Sequence, residues 1–480
     1  MNPSYFEAFF KPRGIAMIGA SANPNKWGFR ILANIIVGGF KGLICPVNPK
    51  GGTLLGLQVY PSVKTVPDLV DLAVITIPAD LVLSALHQCA EKGIHSVIVI
   101  TSGFSETGAA GRALENEVVR MAREKGMHLI GPNTMGIFSA ASNLHALMPP
   151  IQPLHAGVSY VSQSGNVGVQ MLAWGIERGV GFSKFVSSGT EGDIQTEDYL
   201  EYFSEDPETK VLLSYIEGLK NGHHFLEVAR KAVRKKPLIL FKGGKSDAGS
   251  KAAQSHSGAL AGHYSLFKDA FRQAGIIEAE TTEGLLDYAG VFLHYPLPRG
   301  NRIAILTRGG GWGVVAADAC REWGLELPTL SAGVIEKLNK ILPAYWSHGN
   351  PVDMAATLNP EALSKSLEVL IQEKEVDGII AQGVEVLVKR SMVLERLGEM
   401  NLLEGLEGAE EQDAFKDVRL IMDLMETYEK PVIMVSGVNS FTRGISTQGR
   451  ETVIFPTPER AARAMSKLWQ YSRFRQRGRI

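Results

Sequence analysis

The sequence predicts an α/β protein built from three consecutive Rossmann-like/flavodoxin-like parallel-sheet sandwiches. Three observations carry that expectation. Apolar runs of strand length alternate with amphipathic stretches of helix length along the 480 residues, which is the pattern of βαβ units. Glycine, at 51 residues, sits as GA, GG and SG at the ends of those runs and forms no low-complexity tract. Two Pro-rich, aperiodic stretches, ALMPPIQPLHAG and HYPLPRGN, interrupt the alternation and read as linkers. They place boundaries at 1–145, 146–295 and 296–480, in line with a prior of roughly 150 residues per domain.

Within the first unit, 14–18, 43–47, 72–77 and 96–100 read as buried strands, with helices at 28–38, 80–92 and 109–125 between them. A short strand at 128–130 ends in GPNT, and the unit closes near residue 140. The alternation restarts with VSYVSQSG, then a helix at 166–178, the strand FSKFVSSG and a helix at 193–203. VLLSYIEG, a helix at 222–234 and PLILFKGG follow, then a long loop of small residues and a helix from about 257. RIAILTRGGG opens the third unit, with DGIIAQGV and KPVIMVSG as later strands. EGLEGAEEQDAFKD, residues 404–417, reads as a solvated acidic loop.

Composition excludes several classes. A formal net charge of −1 argues against a nucleic-acid-coating or polybasic membrane protein. An apolar share of 45% is too high for disorder. Cys45, Cys89 and Cys320 are widely spaced, so neither a disulfide framework nor a Cys-rich zinc site is expected, and a reducing cytoplasm fits. The N-terminus lacks the pattern of a signal peptide. No stretch reaches the ~20 apolar residues of a membrane span. His223 and His224 are adjacent and cannot share a helix face, so no metal site is expected.

Parallel sheets bind ligands beyond the carboxyl ends of their strands, and a following helix N-terminus favours anions. The first such turn here, GASANPNKWG, is not GxGxxG, which weakens an NAD reading. Its longer loop, with Ser21, Asn23 and Lys26, suits an adenine nucleotide of another shape. The second strand ends in VNPKGG, where Lys50 can neutralise a phosphate beside two glycines that allow close approach. TSGFSETG and GPNTMG end the next such strands.

KSDAGSKAAQSHSGALAG, residues 245–262, is almost entirely small residues around one histidine. That composition offers no apolar face for a core histidine, so His256 reads as a nucleophile able to carry a phosphoryl group. Glu217, at the end of LLSYIEG, is the candidate acid that orients the ring. SQSGNVG supplies a helix N-terminus with the hydroxyls of Ser162 and Ser164 as an anion hole. It is not the G-x-S-x-G nucleophile elbow, and the sequence contains no P-loop.

At these residues the sequence resembles the α subunit of ADP-forming acyl-CoA synthetases, relatives of succinyl-CoA synthetase. AQSHSGALAG carries the resemblance most specifically; VSQSGNVG, IGASANP, VNPKGG, GPNTMG and GNPVDM support it in order. The resemblance covers the whole chain as a CoA-binding domain, a succinyl-CoA synthetase-like domain and a ligase-CoA domain. It implies that His256 becomes phosphohistidine, with Glu217 orienting it and Ser162, Ser164 and Gly165 at the phosphate. It puts Gly19, Ser21, Asn23, Lys50, Ser102 and Asn133 on CoA-binding loops. The implied reaction is acyl-CoA + ADP + phosphate ⇌ carboxylic acid + ATP + CoA. ADP/ATP and Mg2+ would enter through a separate ATP-grasp β subunit, in an α2β2 assembly to which Trp346 contributes either a contact or a piece of core. A CoA-sensing regulatory or scaffold protein without catalysis is the alternative; a lysine acyltransferase and an NAD-dependent dehydrogenase fit less of the sequence.

Overall fold

The five residues GIAMI are all buried and form β1 (Gly14–Ile18). In the computed structural model, residues 5–257, 264–355, 357, 359, 361–384, 416–437 and 442–477 are described. They fall into two units, Met1–Ala289 and Gly290–Ile480.

The first unit holds two sheets. Its opening elements are α1 (Tyr5–Phe10), β1, α2 (Trp27–Val37), β2 (Leu43–Val47) and a two-strand hairpin of β3 (Thr53–Leu54) and β4 (Leu57–Gln58). Then come β5 (Leu72–Ile75), α3 (Ala79–Lys92), β6 (Ser96–Val99), α4 (Ala109–Glu124) and β7 (His128–Ile130). The strands pair in the order β2-β1-β5-β6-β7, all parallel. Every residue of β1, β5 and β6 is buried, as expected of strands with helices on both faces. The strand order reverses between β1 and β5, and that switch point is where an open α/β sheet leaves a crevice.

The second sheet is built from β8 (Gly136–Ser139), β9 (Leu144–Leu147), β10 (His155–Ser162), β11 (Phe182–Ser187), β12 (Val211–Ile216), β13 (Leu238–Lys242) and β14 (Ile277–Glu278). Its order is β14-β13-β12-β10-β11-β8-β9. The helices are α5 (Gly165–Arg178), α6 (Thr196–Glu205), α7 (Gly222–Lys235), α8 (Asp247–Ser257), α9 (Tyr264–Ala274) and α10 (Thr282–His294). Here the order reverses at β10, flanked by β11 and β12.

Two expectations need correction. The boundary at 145 places residues 136–145 in the first sandwich, but 136–147 form the β8–β9 hairpin, which pairs antiparallel with β11 in the second sheet. All eight strand residues are buried: β8 adds to the edge of the second sheet at β11, and α2 covers the hairpin, with Asn34 donating to the carbonyls of Leu147 (2.7 Å) and Pro149 (3.0 Å). The small-residue segment expected as a loop is helical from Asp247 to Ser257. Alanine, lysine and glutamine are good helix formers, and the Ser246 hydroxyl accepts from Gly249 N–H (3.1 Å) at the start. The expected start of the next helix, Gly258, lies outside the described residues.

The second unit pairs β15 (Ile303–Thr307), β16 (Val352–Asp353), β17 (Gly378–Gln382), β18 (Val432–Val435), β19 (Arg443–Thr447) and β20 (Arg450–Phe455) in the order β16-β15-β17-β18-β20-β19. Only the β19–β20 pair is antiparallel. Its helices are α11 (Gly310–Glu322), α12 (Ala332–Asn339), α13 (Ala362–Gln372), α14 (Lys416–Tyr428) and α15 (Pro458–Arg477). In the GNPVDM segment, Asn350 accepts from Ile305 N–H (2.9 Å) and donates to Ile303 C=O (2.9 Å), so its amide closes the end of β15. Trp346 is 2% exposed and its indole N–H donates to Asn339 (2.8 Å). It belongs to the core, which leaves no exposed Trp346 for a subunit contact. Most of the acidic stretch, 404–415, lies outside the described residues.

Candidate active site

A cleft of about 570 Å³ opens within the first unit, beyond the carboxyl ends of β1, β5 and β6. It lies at the switch point of the first sheet. The loop 19–28 forms one wall, and glycine fixes its path. Gly19 has φ +93°, and a Cβ there would stand 2.7 Å from Thr76 Oγ1. A Cβ on Gly28 would stand 2.0 Å from the Gly19 carbonyl oxygen, so α2 starts in direct contact with the end of β1. A Gly28→Ala chain is therefore expected to lose about 1–3 kcal/mol, because backbone must move. Urea unfolding measures it, and an unchanged midpoint would show that the helix start has room.

Ser21 and Asn23 shape this loop from inside. Ser21 Oγ accepts from Asn23 N–H (3.1 Å), and Asn23 Oδ1 accepts from Asn25 N–H (2.9 Å). The turn they make delivers Lys26 and Trp27 to the cleft. Trp27 is 43% exposed, with the Arg30 guanidinium 5.2 Å from its ring centre. Trp27 is an addition to the residues that the sequence singles out in this loop. Lys50 is exposed on the adjoining loop, where Asn48 accepts from its N–H (3.0 Å) and donates to Ala20 C=O (2.8 Å). Lys50 stands outside the cleft lining. Ser102 and Asn133 line the cleft. Asn133 is left-handed (φ +57°), and a Cβ on Gly189 would lie 2.1 Å from the Pro132 carbonyl oxygen. That close approach brings a loop of the second sheet to the opposite wall.

From the second sheet, Ser164 and Gly165 enter the same cleft. Ser164 caps α5, its hydroxyl accepting from Val167 N–H (3.4 Å). The free N–H groups and partial positive charge of a helix start favour an anion here. Ser162 departs from expectation: it is fully buried and its hydroxyl donates to Ser164 C=O (2.7 Å). As the last residue of β10 it points into the fold, so it shapes the turn and offers no hydroxyl to a ligand. Asn166, exposed on the cleft side of α5, is an addition the sequence did not single out.

Glu217 follows β12 directly and is 7% exposed. Tyr215 donates to its carboxylate (3.4 Å); burial first, and then the charge of Glu217, push the Tyr215 hydroxyl up to about 12. Lys242 donates to the Glu217 carbonyl (2.7 Å); burial lowers its pKa while Glu217 opposes the shift. The Gln163 amide binds the same stretch, accepting from Glu217 N–H (2.7 Å) and Gly218 N–H (3.2 Å). A buried carboxylate the sequence did not reveal, Glu191, takes Gln163 from the other side (3.1 Å). Burial raises the Glu191 carboxyl, against the pull of Thr196, Ser188 and Lys220.

His256 lies in the last turn of α8, and its side chain is outside the described residues. The helix itself packs against the 3₁₀ turn Ser105–Thr107, which continues the cleft loop containing Ser102. The second unit has a crevice of its own, about 350 Å³, at the carboxyl ends of β15, β17 and β18. Among the described residues no group of three His, Cys, Asp or Glu could hold a metal, and no helix is long and apolar enough to cross a membrane.

Three domain families match the chain in succession. Residues 13–140 match the CoA binding domain family, 155–292 the succinyl-CoA ligase like flavodoxin domain family and 303–410 the ligase-CoA domain family. The chain is 42% identical over 375 residues to a Pyrococcus furiosus protein named acetate–CoA ligase [ADP-forming] II subunit alpha, covering 78% of this chain and 81% of that one. The chain belongs to the family of ADP-forming acyl-CoA synthetase α subunits. A longer Archaeoglobus fulgidus relative, acetate–CoA ligase [ADP-forming] I, is 36% identical over 99% of this chain, which spans 65% of its length. A solved structure from Candidatus Korarchaeum cryptofilum, described as a dinucleotide forming acetyl-coenzyme A synthetase 1 with phosphate and ADP, superposes with a TM-score of 0.84. It is 32% identical, covering 98% of this chain and 97% of that one.

Proposed function

We propose that this chain is the α subunit of an NDP-forming acyl-CoA synthetase catalysing acyl-CoA + ADP + phosphate ⇌ carboxylic acid + ATP + CoA. One observation carries the reading. The cleft at the first switch point reaches the N-terminus of α5, and the helix bearing His256 packs on a turn continuous with the cleft wall. Three needs of the chemistry therefore meet in one unit: a place for CoA, a place for an anion, and a nucleophile.

CoA occupies the cleft, with Gly19, Ser21, Asn23, Ser102 and Asn133 forming its loops and Lys26 and Lys50 available to its phosphates. Phosphate sits at the start of α5, against the backbone of Ser164 and Gly165. There its oxygen attacks the thioester carbonyl; the C–S bond breaks, CoA leaves as thiolate, and an acyl phosphate remains. The His256 imidazole then attacks phosphorus and the carboxylate leaves. Glu217 accepts a hydrogen bond from the other ring nitrogen and stabilises the positive charge that develops there. ADP takes the phosphoryl group on an ATP-grasp β subunit, which also brings Mg2+, in an α2β2 assembly in the cytoplasm.

A Glu217→Gln chain should bind CoA as the wild type does and take phosphate more slowly. The amide keeps a hydrogen-bonding group but loses the charge, and groups of this kind are worth roughly 10²–10⁴-fold. Rapid-quench labelling from acetyl-CoA and radioactive phosphate measures the rate. An unchanged rate would reduce Glu217 to a structural residue.

A further inference from the structure

Three loops leave the carboxyl ends of β10, β11 and β12, and each carries a part of the proposed site: Ser164 and Gly165, Gly189 and Thr190, and Glu217. Two side chains join them. Gln163 stands between the last residue of β10 and the cap of α5. Its backbone N–H donates to Tyr215 C=O (3.1 Å). Its amide oxygen accepts from Glu217 N–H (2.7 Å) and Gly218 N–H (3.2 Å), and its NH₂ donates to Gly218 C=O (2.9 Å) and to Glu191 Oε2 (3.1 Å). Two donors and two acceptor sites are the whole capacity of an amide, and all are used.

Glu191 is the other half. It is 5% exposed and holds a left-handed backbone (φ +54°), a conformation that glycine adopts at less cost. Its other oxygen accepts from Ser188 Oγ (2.7 Å) and from Thr196 Oγ1 (2.5 Å), the first residue of α6. Lys220 and Gln195 donate to its carbonyl (both 2.6 Å). Three donors converge on the carboxyl group, which is the arrangement an ionised carboxylate satisfies. A turn that needed only its shape would be served by glycine; this one keeps a buried acid whose bonds lead to Gln163.

We propose that Gln163 and Glu191 are positioning residues for phosphoryl transfer, a buried pair that fixes the backbone bearing Glu217 against the N-terminus of α5. The proposal rests on the reading of Glu217 and His256 given above. Glu191 stands outside the cleft lining, and Gln163 lines the cleft with every polar atom of its amide already bonded within the fold. Their effect is geometric: phosphoryl transfer is steeply sensitive to displacement of the orienting groups, and a support bonded at every polar atom removes that freedom.

The test exchanges the pair. Gln163→Glu sets two carboxylates against each other where a donor met an acceptor. Glu191→Gln puts an NH₂ among three donors. The double exchange Q163E/E191Q restores the contact between the two side chains and gives up only the bond to the Gly218 carbonyl. Each full-length chain is given acetyl-CoA and radioactive inorganic phosphate, and the label on His256 is followed in time. Expected are a rate roughly 10²-fold lower for Gln163→Glu and roughly tenfold lower for Glu191→Gln. The half-saturating acetyl-CoA concentration should stay within about twofold of wild type in both, and the double exchange should recover about tenfold over Gln163→Glu. A wild-type rate in folded Gln163→Glu, an equal loss of rate and acetyl-CoA affinity, or a double exchange no better than the single one would overturn the proposal. If Gln163→Glu does not fold, Glu191→Gln decides, and a wild-type rate there overturns it. A wild-type chain that takes no label on His256 defeats the reading of the function itself and this proposal with it; a labelled wild type with indifferent variants defeats only the proposal.

Discussion

A His256→Ala chain is expected to take up no acid-labile, alkali-stable phosphate, and to lose the overall reaction, while still binding CoA. Removing the imidazole removes the one group of this chain that bonds to phosphorus in the proposed sequence, so the effect is all or none within the sensitivity of the assay. The structure also makes this a clean substitution. His256 lies in the last turn of α8, and alanine is the best helix former, so the helix keeps its local support. The cleft proposed for CoA is lined by other elements of the same unit. Loss of label with retained CoA binding therefore isolates the nucleophile. Peptide mapping of the wild-type chain after incubation with acetyl-CoA and phosphate fixes the position. Label on another residue, or an active His256→Ala chain, would remove the phosphohistidine from the mechanism.

Much of this architecture is legible in the sequence because parallel strands buried on both faces leave continuous apolar runs. GIAMI, LICPV and SVIV declare themselves in that way, and the structure forms them within a residue or two of the expected limits. The Gly-rich turns mark the carboxyl ends for a physical reason, visible at Gly19 and Gly28: backbone meets backbone there, and a side chain has no room. What fails to show is whatever depends on partners distant in sequence. GIFS and LHAL are as apolar as any strand, yet nothing in them says that they join β11 and not the sheet that precedes them. The segment SDAGSKAAQSHS is ambiguous because small residues suit loops and helices alike, and three alanines outweigh one glycine only once the helix has something to pack on. Ser162 and Ser164 look equivalent as letters, and one turn of chain separates a hydroxyl spent inside the fold from one capping a helix. Glu191 was hidden for a related reason. In SSGTEGD an acid among glycines reads as a solvated turn, and only the fold reveals three donors closing around it.

The second large effect concerns ATP. The 480-residue chain alone should make none from acetyl-CoA, phosphate and ADP, even though it should phosphorylate itself. The domains it matches are described as CoA binding, succinyl-CoA ligase like flavodoxin and ligase-CoA domains. The sequence has no GxxxxGK[ST] loop in which backbone N–H groups could cradle a triphosphate. In the proposed function the phosphohistidine passes its phosphoryl group to ADP held by an ATP-grasp β subunit. Without that domain the reaction stops after one equivalent of phosphate per chain, and CoA release should show a single burst of that size. Adding an ATP-grasp polypeptide of the same family should convert the burst into steady turnover, with ATP appearing at the rate of CoA release. Joining the two polypeptides in one chain should do the same, because a tethered domain stays at high effective concentration. The measurement is a coupled ATP assay beside a thiol assay on the same samples. Sustained ATP formation by the chain alone would mean that one of its own crevices binds the nucleotide, and the crevice at the ends of β15, β17 and β18 would be the first place to look.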